Sequence, residues 1–285
     1  MVEINAEMIK TLRHRTGIGM GKCKEALQAA HGDIELAIAN LRKAGIASAV
    51  KKEGRQTNEG MICVAETHST MVVIEVNAET DFVVKNERFQ EFAHNLAKEA
   101  CDSSATNIED FLNQSYTKDP TLTLDQYRST IVEGLGENIR ISRLKRFSKK
   151  IDSTLAFYSH QGGQIVTIVE IAGSSHLGQF GKEIAMHIAA EAPDYISPQK
   201  IPDHLIEQEK EIARAQIKGK PESIVNKILE GKLNAFFDQV CLLNQKFIKN
   251  GNLTIQQLLA TESKKIESEI TISHFLRWKV GEYNG

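Results

Sequence analysis

The chain has 285 residues, of which 41% are hydrophobic and 25% are charged. This length and composition predict a globular protein of about two domains and argue against a mainly disordered chain. The 35 basic and 37 acidic residues give a formal net charge of −2. Such an even balance argues against a protein whose main task is to coat nucleic acid or an anionic membrane.

The cysteines and the hydropathy pattern indicate a reducing compartment. Four cysteines are scattered along the chain, without a CxxC pair or histidines at metal-ligand spacing, so neither a zinc site nor a disulfide framework is predicted. The sequence has no apolar run typical of a signal peptide or of a membrane helix. We therefore expect a cytoplasmic protein that needs no metal ion and no cofactor.

The first 54 residues are predicted to form three short helices separated by glycines. Asp33 is predicted to cap the third helix and Gly45 to end it. Residues 47–60 are polar and lack an apolar period, which predicts a linker. Because a bundle this small cannot enclose a substrate, its expected role is to dock on a partner.

The next region has the pattern of strands followed by a helix, and the pattern occurs twice. Segments rich in Val and Ile at 61–66 and 71–77 predict a hairpin, and apolar residues from Phe89 to Ala100 mark one face of a helix. Strands at 154–159 and 164–172, also followed by a helix, repeat the unit about 92 residues later. The repeat predicts two related α+β subdomains, each with an antiparallel sheet covered by helices.

The last third of the chain is predicted to contain a charged helical hairpin and a final strand. The hairpin covers 198–237, with Gly219-Lys220-Pro221 as the break between its helices, and residues from Ile270 to Val280 alternate as a strand does. The fold class is therefore α+β, with an N-terminal three-helix module, a duplicated two-subdomain core and an inserted helical hairpin. The predicted divisions are an N-terminal docking module at 1–54, a first core subdomain at 55–147, a second core subdomain at 148–197 and 238–268, the hairpin at 198–237, and a C-terminal module at 269–285.

No constellation of residues supports covalent catalysis. The glycines at 17, 19 and 21 follow a predicted helix and lack the spacing of known phosphate-binding loops, and neither HExxH nor GxSxG occurs. His160 and His187 are marked, but a structural or surface role is expected for each. Two alternatives are kept: an adaptor that uses the N-terminal bundle to bind ubiquitin-like ligands, and a small-molecule enzyme that uses one of these histidines.

The most informative segment, residues 75–86, joins a predicted strand to a predicted helix. Local rules favour Thr80 or Asp81 as a helix cap, with Phe82 in the core. The alternative is an acidic and an aromatic residue that are presented together on a rigid turn and inserted into a partner. Periodicity does not decide between these interpretations.

Two motifs resemble the signatures of the elongation factor Ts family. Residues 12–20, LRHRTGIGM, followed by CKEAL at 23–27, are similar to the family's N-terminal signature, and EVNAETDFV at 75–83 is similar to its second signature. The likeness continues, in the family's order, at 136–139, 186–190, 219–221 and 275–282. It therefore covers nearly the whole chain.

The resemblance implies a guanine-nucleotide exchange factor for elongation factor Tu that works without covalent catalysis. It implies a ubiquitin-associated-like N-terminal module, a helical hairpin of the dimerisation type, and no direct binding of nucleic acid or membrane. The sequence leaves open whether this hairpin joins two copies into a homodimer or folds back on its own chain. It also implies that residues of the second signature disturb magnesium on the partner, with Asp81 and Phe82 entering between helices of its nucleotide-binding domain. The implied magnesium-displacing residues are Thr80, Asp81, Phe82 and Val83, and the other implied contacts are Arg13, Met20, Leu135, Gly136 and His160.

The sequence departs from the family pattern at a few positions. Gly21-Lys22 stands where the family commonly has a larger apolar residue and an Asp, Lys246 replaces a usual proline, and Trp278 replaces a smaller aromatic residue. These changes affect accessory contacts and leave residues 80–83 intact. Asp81 could act through its charge or as a helix cap, and both roles stay open.

Overall fold

The computed structural model describes residues 4–16, 18–217 and 221–282. It confirms the α+β fold class: N-terminal helices, antiparallel strand pairs and a duplicated core with an inserted pair of helices. Gly17 and the Gly219-Lys220 break lie outside the described residues, so the structure does not test the predictions made for them.

Three helices form the N-terminal part and share a small apolar core that includes Leu12, Cys23 and Leu27. The helices are α1 (Ala6–Thr16), α2 (Met20–Ala29) and α3 (Ile34–Lys52). Asp33 caps α3 as predicted, because its carboxylate accepts a hydrogen bond from the amide of Leu36 at 3.0 Å. An acidic cap satisfies a free amide and complements the positive end of the helix dipole.

The first subdomain is a three-stranded antiparallel sheet covered on one face by helices. Its elements are β1 (Glu59–Glu66), β2 (Thr70–Ala78), α4 (Asp81–Val84), α5 (Glu87–Asp102), α6 (Ile108–Leu112), β3 (Ser115–Tyr116), β4 (Asp119–Thr123), α7 (Leu124–Leu135) and β5 (Ile139–Ser148). The strand order is β1-β2-β5. Ile74 and Val76 of β2 join Phe89, Phe92 and Leu96 of α5 in one buried core, as the apolar period of α5 predicts.

The prediction that Gly45 ends the third helix is wrong, and of the linker predicted at 47–60 only residues 53–58 lie outside helix and strand. α3 continues without a break to Lys52 and packs against α7. A Cβ atom at Gly45 would lie 3.2 Å from the carbonyl oxygen of Ser129 on α7, so the missing side chain lets two helices approach closely. This glycine serves packing between elements that are distant in sequence, which local helix-stop rules do not detect.

A β-bulge lies between β2 and β5. Glu75 pairs with Arg143 and Val76 pairs with Ile141, which leaves Ser142 as an extra residue on β5. A bulge changes the face to which the following side chains point. Ile141 therefore remains in the helix-facing core, while Arg143 reaches Glu75 on the opposite face of the sheet.

The second subdomain has the same plan with a helical hairpin inserted. Its elements are β6 (Ser153–His160), β7 (Ile165–Ala172), α8 (Gly178–Glu191), α9 (Asp203–Ala215), α10 (Glu222–Val240), β8 (Lys246–Phe247), β9 (Asn250–Thr254), α11 (Ile255–Lys265) and β10 (Thr271–Lys279). The strand order is β10-β7-β6. β10, which falls within the predicted C-terminal module, is thus the third strand of this sheet.

The duplication extends further than the sequence analysis predicts. In each copy the covering helix is followed later in the chain by a small two-stranded hairpin, β3-β4 or β8-β9. A helix that begins with a capping box comes next, α7 or α11, and then a strand that pairs with the central strand, β5 or β10. The boxes pair Thr123 with Gln126 and Thr254 with Gln257. Seven positions are identical between residues 112–126, LNQSYTKDPTLTLDQ, and residues 243–257, LNQKFIKNGNLTIQQ. The second half of the repeat is therefore also detectable as sequence similarity.

Backbone contacts divide the chain into two compact units. Of the described residues, the first comprises 4–16, 18–148, 162–164 and 279–282, and the second comprises 149–161, 165–217 and 221–278. Within the described ranges, no helix is long and apolar enough to cross a membrane, and no group of three or more His, Cys, Asp or Glu side chains is arranged to hold a metal ion.

Candidate partner-binding site

The segment that joins β2 to α5, residues 79–86, is called the first corner. Thr80 has extended backbone angles (φ −130°, ψ 155°) and is the N-cap of α4, since its hydroxyl oxygen accepts a hydrogen bond from the amide of Val83 at 3.4 Å. Of the two candidate N-caps, Thr80 and Asp81, Thr80 is therefore the one that caps the helix. Asp81 is the first helical residue and not the cap.

The side chain of Phe82 points away from its own subdomain. It is 81% exposed, whereas Val84 is buried and Val83 packs against the first core. The one-turn helix thus directs two valines inward and the aromatic ring outward. The interpretation that places Phe82 in the core is wrong, because the two valines already occupy the inward positions of this turn.

Asp81 places a negative charge beside this ring. Its carboxylate lies 2.6 Å from the ammonium of Lys85, one turn further along the chain. The hydrogen bond from Lys85 lowers the pKa of Asp81 below its ordinary value, so the carboxylate is ionised at neutral pH. The first corner therefore presents an exposed aromatic ring next to a half-exposed, ion-paired carboxylate.

Leu135 and Gly136 lie next to the first corner. Gly136 caps the C-terminus of α7 in the left-handed region (φ 84°), where glycine is preferred, and it is exposed. The following residue, Glu137, accepts hydrogen bonds from the amide and the hydroxyl of Thr80 at 3.0 and 2.7 Å. The structure thus brings these two predicted contacts beside Thr80, while Leu135 itself packs partly against the first core.

Arg13 and Met20 lie on the N-terminal helices, and both are exposed. The ammonium of Lys22 on α2 lies 2.6 Å from the carboxylate of Glu133 on α7. Lys22 is one of the departures from the family pattern, and it ties α2 to the helix that ends at Gly136. The helix that carries Met20 is therefore joined to the first subdomain.

The two marked histidines have different environments. His160 is exposed at the end of β6, with its Nδ1 atom 3.0 Å from the hydroxyl of Tyr158. His187 is fully buried on α8, with its Nε2 atom 3.0 Å from the side-chain oxygen of Gln245. His160 stays a predicted contact, whereas His187 is a buried structural residue of the second subdomain.

Sequence reasoning missed the part that Glu79 and Glu137 play at this site. Both bind backbone amides across the corner, although 57 positions separate Glu137 from Thr80. The motif Gly136-Glu137-Asn138-Ile139 is the available signal in the sequence. In the folded chain the carboxylate of Glu137 anchors the corner through its two hydrogen bonds to Thr80.

Comparisons with known proteins match the chain from end to end. A family model described as Elongation factor TS matches residues 79–282. Elongation factor Ts of Protochlamydia amoebophila (strain UWE25) is 56% identical over 282 residues, which cover 99% of this chain and 100% of that protein. The proteins of the same name from Chlamydia pneumoniae and Chlamydia felis (strain Fe/C-56) are 43% and 41% identical over 281 residues, with 99% of this chain and 100% of each protein covered.

Proposed function

Because the chain belongs to the elongation factor Ts family and is a translation elongation factor, we propose that it promotes release of GDP from elongation factor Tu. It would displace the magnesium ion and its supporting loop from the partner and then leave when GTP binds. The observation that best supports this proposal is the exposed ring of Phe82 beside the ionised Asp81 at the first corner.

In the proposed mechanism, the chain binds nucleotide-free elongation factor Tu more tightly than the nucleotide-bound form. Bound GDP is held by backbone amides, by a lysine and by a magnesium ion that neutralises phosphate charge. Displacing the ion removes much of that attraction, so GDP leaves faster. The binding of the exchange factor and the binding of nucleotide to the partner are coupled reciprocally. Because the exchange factor weakens nucleotide binding, rebinding of nucleotide must weaken the binding of the exchange factor. No covalent step and no cofactor of this chain is needed.

Phe82 supplies apolar surface for insertion, and Asp81 supplies charge. Burying the ring between helices of the partner would contribute about 1.5–3 kcal/mol. The adjacent carboxylate is suited to repel phosphate oxygens or to compete for magnesium. Val83 and Thr80 would complete this contact, Val83 from the partly buried side of the turn and Thr80 as its cap.

The accessory contacts in this proposal come from several elements. Arg13 and Met20 would dock the N-terminal helices on the nucleotide-binding domain of the partner, and Leu135 and Gly136 would contact it beside the first corner. His160 would contact it elsewhere through the second subdomain. Neither nucleic acid nor membrane takes part, and the proposed site of action is the cytoplasm, where the partner meets its nucleotides.

The helical hairpin is proposed to join two copies of the chain. α9 and α10 pack against each other, and Ile212 and Ile224 on them remain about half exposed, at 48% and 45%. Apolar side chains at such positions are covered when a second hairpin packs against the first. Light scattering on the purified protein measures the mass directly, and a monomeric mass at high concentration would contradict this part of the proposal.

The test of the central proposal is the release of a fluorescent GDP analogue from purified elongation factor Tu, with and without this protein. Phe82→Ala should raise the concentration needed for half-maximal stimulation by about tenfold or more, because it removes the buried ring. Since the ring makes little contact with its own subdomain, the fold should be unaffected. Ile151→Ala is the matched control, since Ile151 is an apolar side chain 90% exposed in a turn of the second unit.

The same assay separates the two roles of Asp81. Thr80 is the cap of α4, so Asp81→Asn should remove negative charge while the helix start is kept. Lys85→Ala removes the partner of Asp81 and leaves its charge in place. Loss of stimulation in Asp81→Asn but not in Lys85→Ala would support a role for charge. Full stimulation by Asp81→Asn would remove that role, and unchanged stimulation by Phe82→Ala would refute the insertion of the ring.

A further inference from the structure

The short helix α4 cannot hold its own shape. It contains four residues, a single turn, and an isolated helix becomes stable in water only at several times this length. Phe82 is mostly exposed, so its ring receives little support from the core. If this ring acts on a partner, its orientation must be fixed through the backbone on either side of the turn.

Glu137 supplies that support on one side. Its two carboxylate oxygens accept the amide of Thr80 at 3.0 Å and the hydroxyl of Thr80 at 2.7 Å. The same hydroxyl oxygen accepts the amide of Val83. The hydrogen bonds therefore run from Glu137 through Thr80 to Val83 and span the two residues that lie between them, Asp81 and Phe82. A bond to an ionised carboxylate is stronger than one between neutral groups, and chained bonds strengthen one another.

Glu79 makes the reciprocal contact. Its carboxylate accepts the amide of Asn138 at 2.7 Å, so each glutamate binds the backbone amide of the residue that follows the other. Asn138 is buried, and its side-chain amide donates to the carbonyl oxygens of Glu53 and Arg55 at 3.2 and 3.0 Å. Three separate segments, at 53–55, 79–80 and 137–138, are thus fastened together under α4.

We propose that Glu137 is a positioning residue for nucleotide exchange, with the Glu79–Asn138 contact as its counterpart. It holds Thr80 and therefore fixes the turn that presents Phe82, so the ring meets the partner in a preformed orientation. A preformed contact surface loses less conformational freedom on binding than a mobile one, and this raises affinity without adding a contact. The inference rests on the proposed exchange function and adds to it a residue that acts through Phe82.

The experiment is a double-mutant cycle in the GDP-release assay. Glu137→Ala should raise the half-saturating concentration by about tenfold, because it removes two hydrogen bonds to a charged group. In a Phe82→Ala background the same substitution should have a clearly smaller effect, since the ring is absent and only Asp81 and Val83 remain to be positioned. Glu137→Gln, which keeps one acceptor oxygen at the same place, should restore part of the lost stimulation.

Glu99 provides a matched control in the same subdomain. Its carboxylate accepts the amide and the hydroxyl of Thr117, as that of Glu137 does for Thr80, but this pair joins α5 to the β3–β4 turn. Glu99→Ala should therefore leave GDP release unchanged. Hydrogen exchange should show faster exchange at the amide of Val83 in Glu137→Ala than in the parent protein, with the amides of β2 unaffected.

The outcomes separate the inference from the proposed function. Equal losses from Glu137→Ala with and without the ring of Phe82, or full stimulation by Glu137→Ala, would overturn the inference while leaving the insertion of Phe82 intact. No effect of Phe82→Ala by itself would refute the insertion of the ring, and the inference with it. If Glu137→Ala fails to fold, Glu137→Gln is used in the cycle, and it must show the same non-additivity in smaller measure.

Discussion

The two copies of the core differ most at the corner between the central strand and the covering helix. The first corner has eight residues between β2 and α5, whereas the second corner, residues 173–177, has five between β7 and α8. The three additional residues accommodate α4 and leave Phe82 exposed. In the second corner the chain enters α8 directly, and its apolar residue, Leu177, is buried. A short insertion therefore accompanies the change from a corner with a buried apolar residue to one with an exposed aromatic ring.

The two corners are also stabilised by different kinds of hydrogen bond. The carboxylates of Glu79 and Glu137 hold the first corner. In the second corner the hydroxyl of Thr154 donates to the carbonyl oxygen of Ser174 and accepts the amide of Leu177, at 2.7 and 3.1 Å. Neutral bonds suffice where the corner folds onto its own core, whereas the projecting corner is held by charge-assisted bonds, which are stronger.

The comparison predicts unequal losses of stability when alanine replaces the residues at one pair of matched helix positions, Phe89 on α5 and Gly181 on α8. Phe89 is fully buried, so Phe89→Ala should destabilise the first subdomain by about 3–5 kcal/mol through lost contact and a residual cavity. A Cβ at Gly181 would lie 2.6 Å from the Cβ of Ala156. Gly181→Ala should therefore destabilise the second subdomain by about 1–3 kcal/mol through overpacking.

Hydrogen exchange of the amides in β2 and in β7 measures each subdomain separately. Phe89→Leu, which keeps most of the apolar volume, is the control and should cost less than Phe89→Ala. If Gly181→Ala proved neutral or stabilising, the close approach of α8 to β6 would be relaxed easily. The two copies would then differ less in packing than their structures indicate.

A second prediction compares two glutamates on the central strands, Glu75 and Glu170. Each lies between residues of the helix-facing core and points to the opposite face of its sheet. Glu75 is fully buried and binds Arg143, of which 16% is exposed, whereas Glu170 pairs with Lys150, of which 67% is exposed. Glu75→Gln should therefore cost about 2–4 kcal/mol, because it leaves a largely buried guanidinium without its anion, and Glu170→Gln less than about 1 kcal/mol.

Urea unfolding of each variant, followed by hydrogen exchange at β2 and β7, measures these two costs. The isosteric change removes only the charge, so the carbonyl oxygen at position 75 can still accept from the side chain of Asn77 and from the amide of Gly281. Equal losses of free energy of unfolding in the two variants would show that burial of an ion pair does not decide how much it contributes to stability.

Much of the fold could be predicted because the required information is local. The run of Val and Ile in β2 is typical of a strand buried on both faces, and the apolar period of α5 is typical of a helix with one buried face. Gly45 could not be interpreted in this way, since its role depends on a helix that begins at Leu124. Packing between distant elements leaves no periodic trace in the sequence.

The second half of the repeat was missed for a different reason. The helices of the two copies correspond at a spacing of 92 residues, but LNQ at 112–114 and LNQ at 243–245 lie 131 apart. The inserted pair α9 and α10 lengthens the second copy and changes the spacing, so a search at one fixed spacing finds only half of the duplication.

The candidate site was predicted in part. The family-like motif singled out Thr80 to Val83, but local rules favour a buried Phe82, and its side chain is exposed. Its exposure depends on whether other side chains already fill the inward positions of the turn, as Val83 and Val84 do. For Glu137 the sequence offers only the family-like motif at 136–139, because its bonds to Thr80 exist only in the folded chain.

The smallest predicted effect concerns the matched polar residues Asn95 on α5 and His187 on α8. Burial lowers the pKa of His187 below its ordinary value of 6.5, against opposing effects of Gln245 and Glu191. Above pH 6.5 the ring is neutral in both the folded and the unfolded chain. As the pH falls below 6.5 the unfolded chain takes up a proton that the folded chain does not, so stability is lost until the pH reaches the lowered pKa of the folded state.

His187→Asn makes the second copy resemble the first and removes this proton uptake. The parent protein should therefore lose more free energy of unfolding between pH 8 and pH 5.5 than the variant does, by at most about 1.4 kcal/mol, as expected one pH unit below the ordinary pKa. Comparing the variant with its parent cancels the contributions of the other histidines. Parallel pH profiles from urea unfolding would mean that His187 is protonated equally in both states, and that its burial between Gln245 and the amide of Ile248 does not disfavour the charged ring.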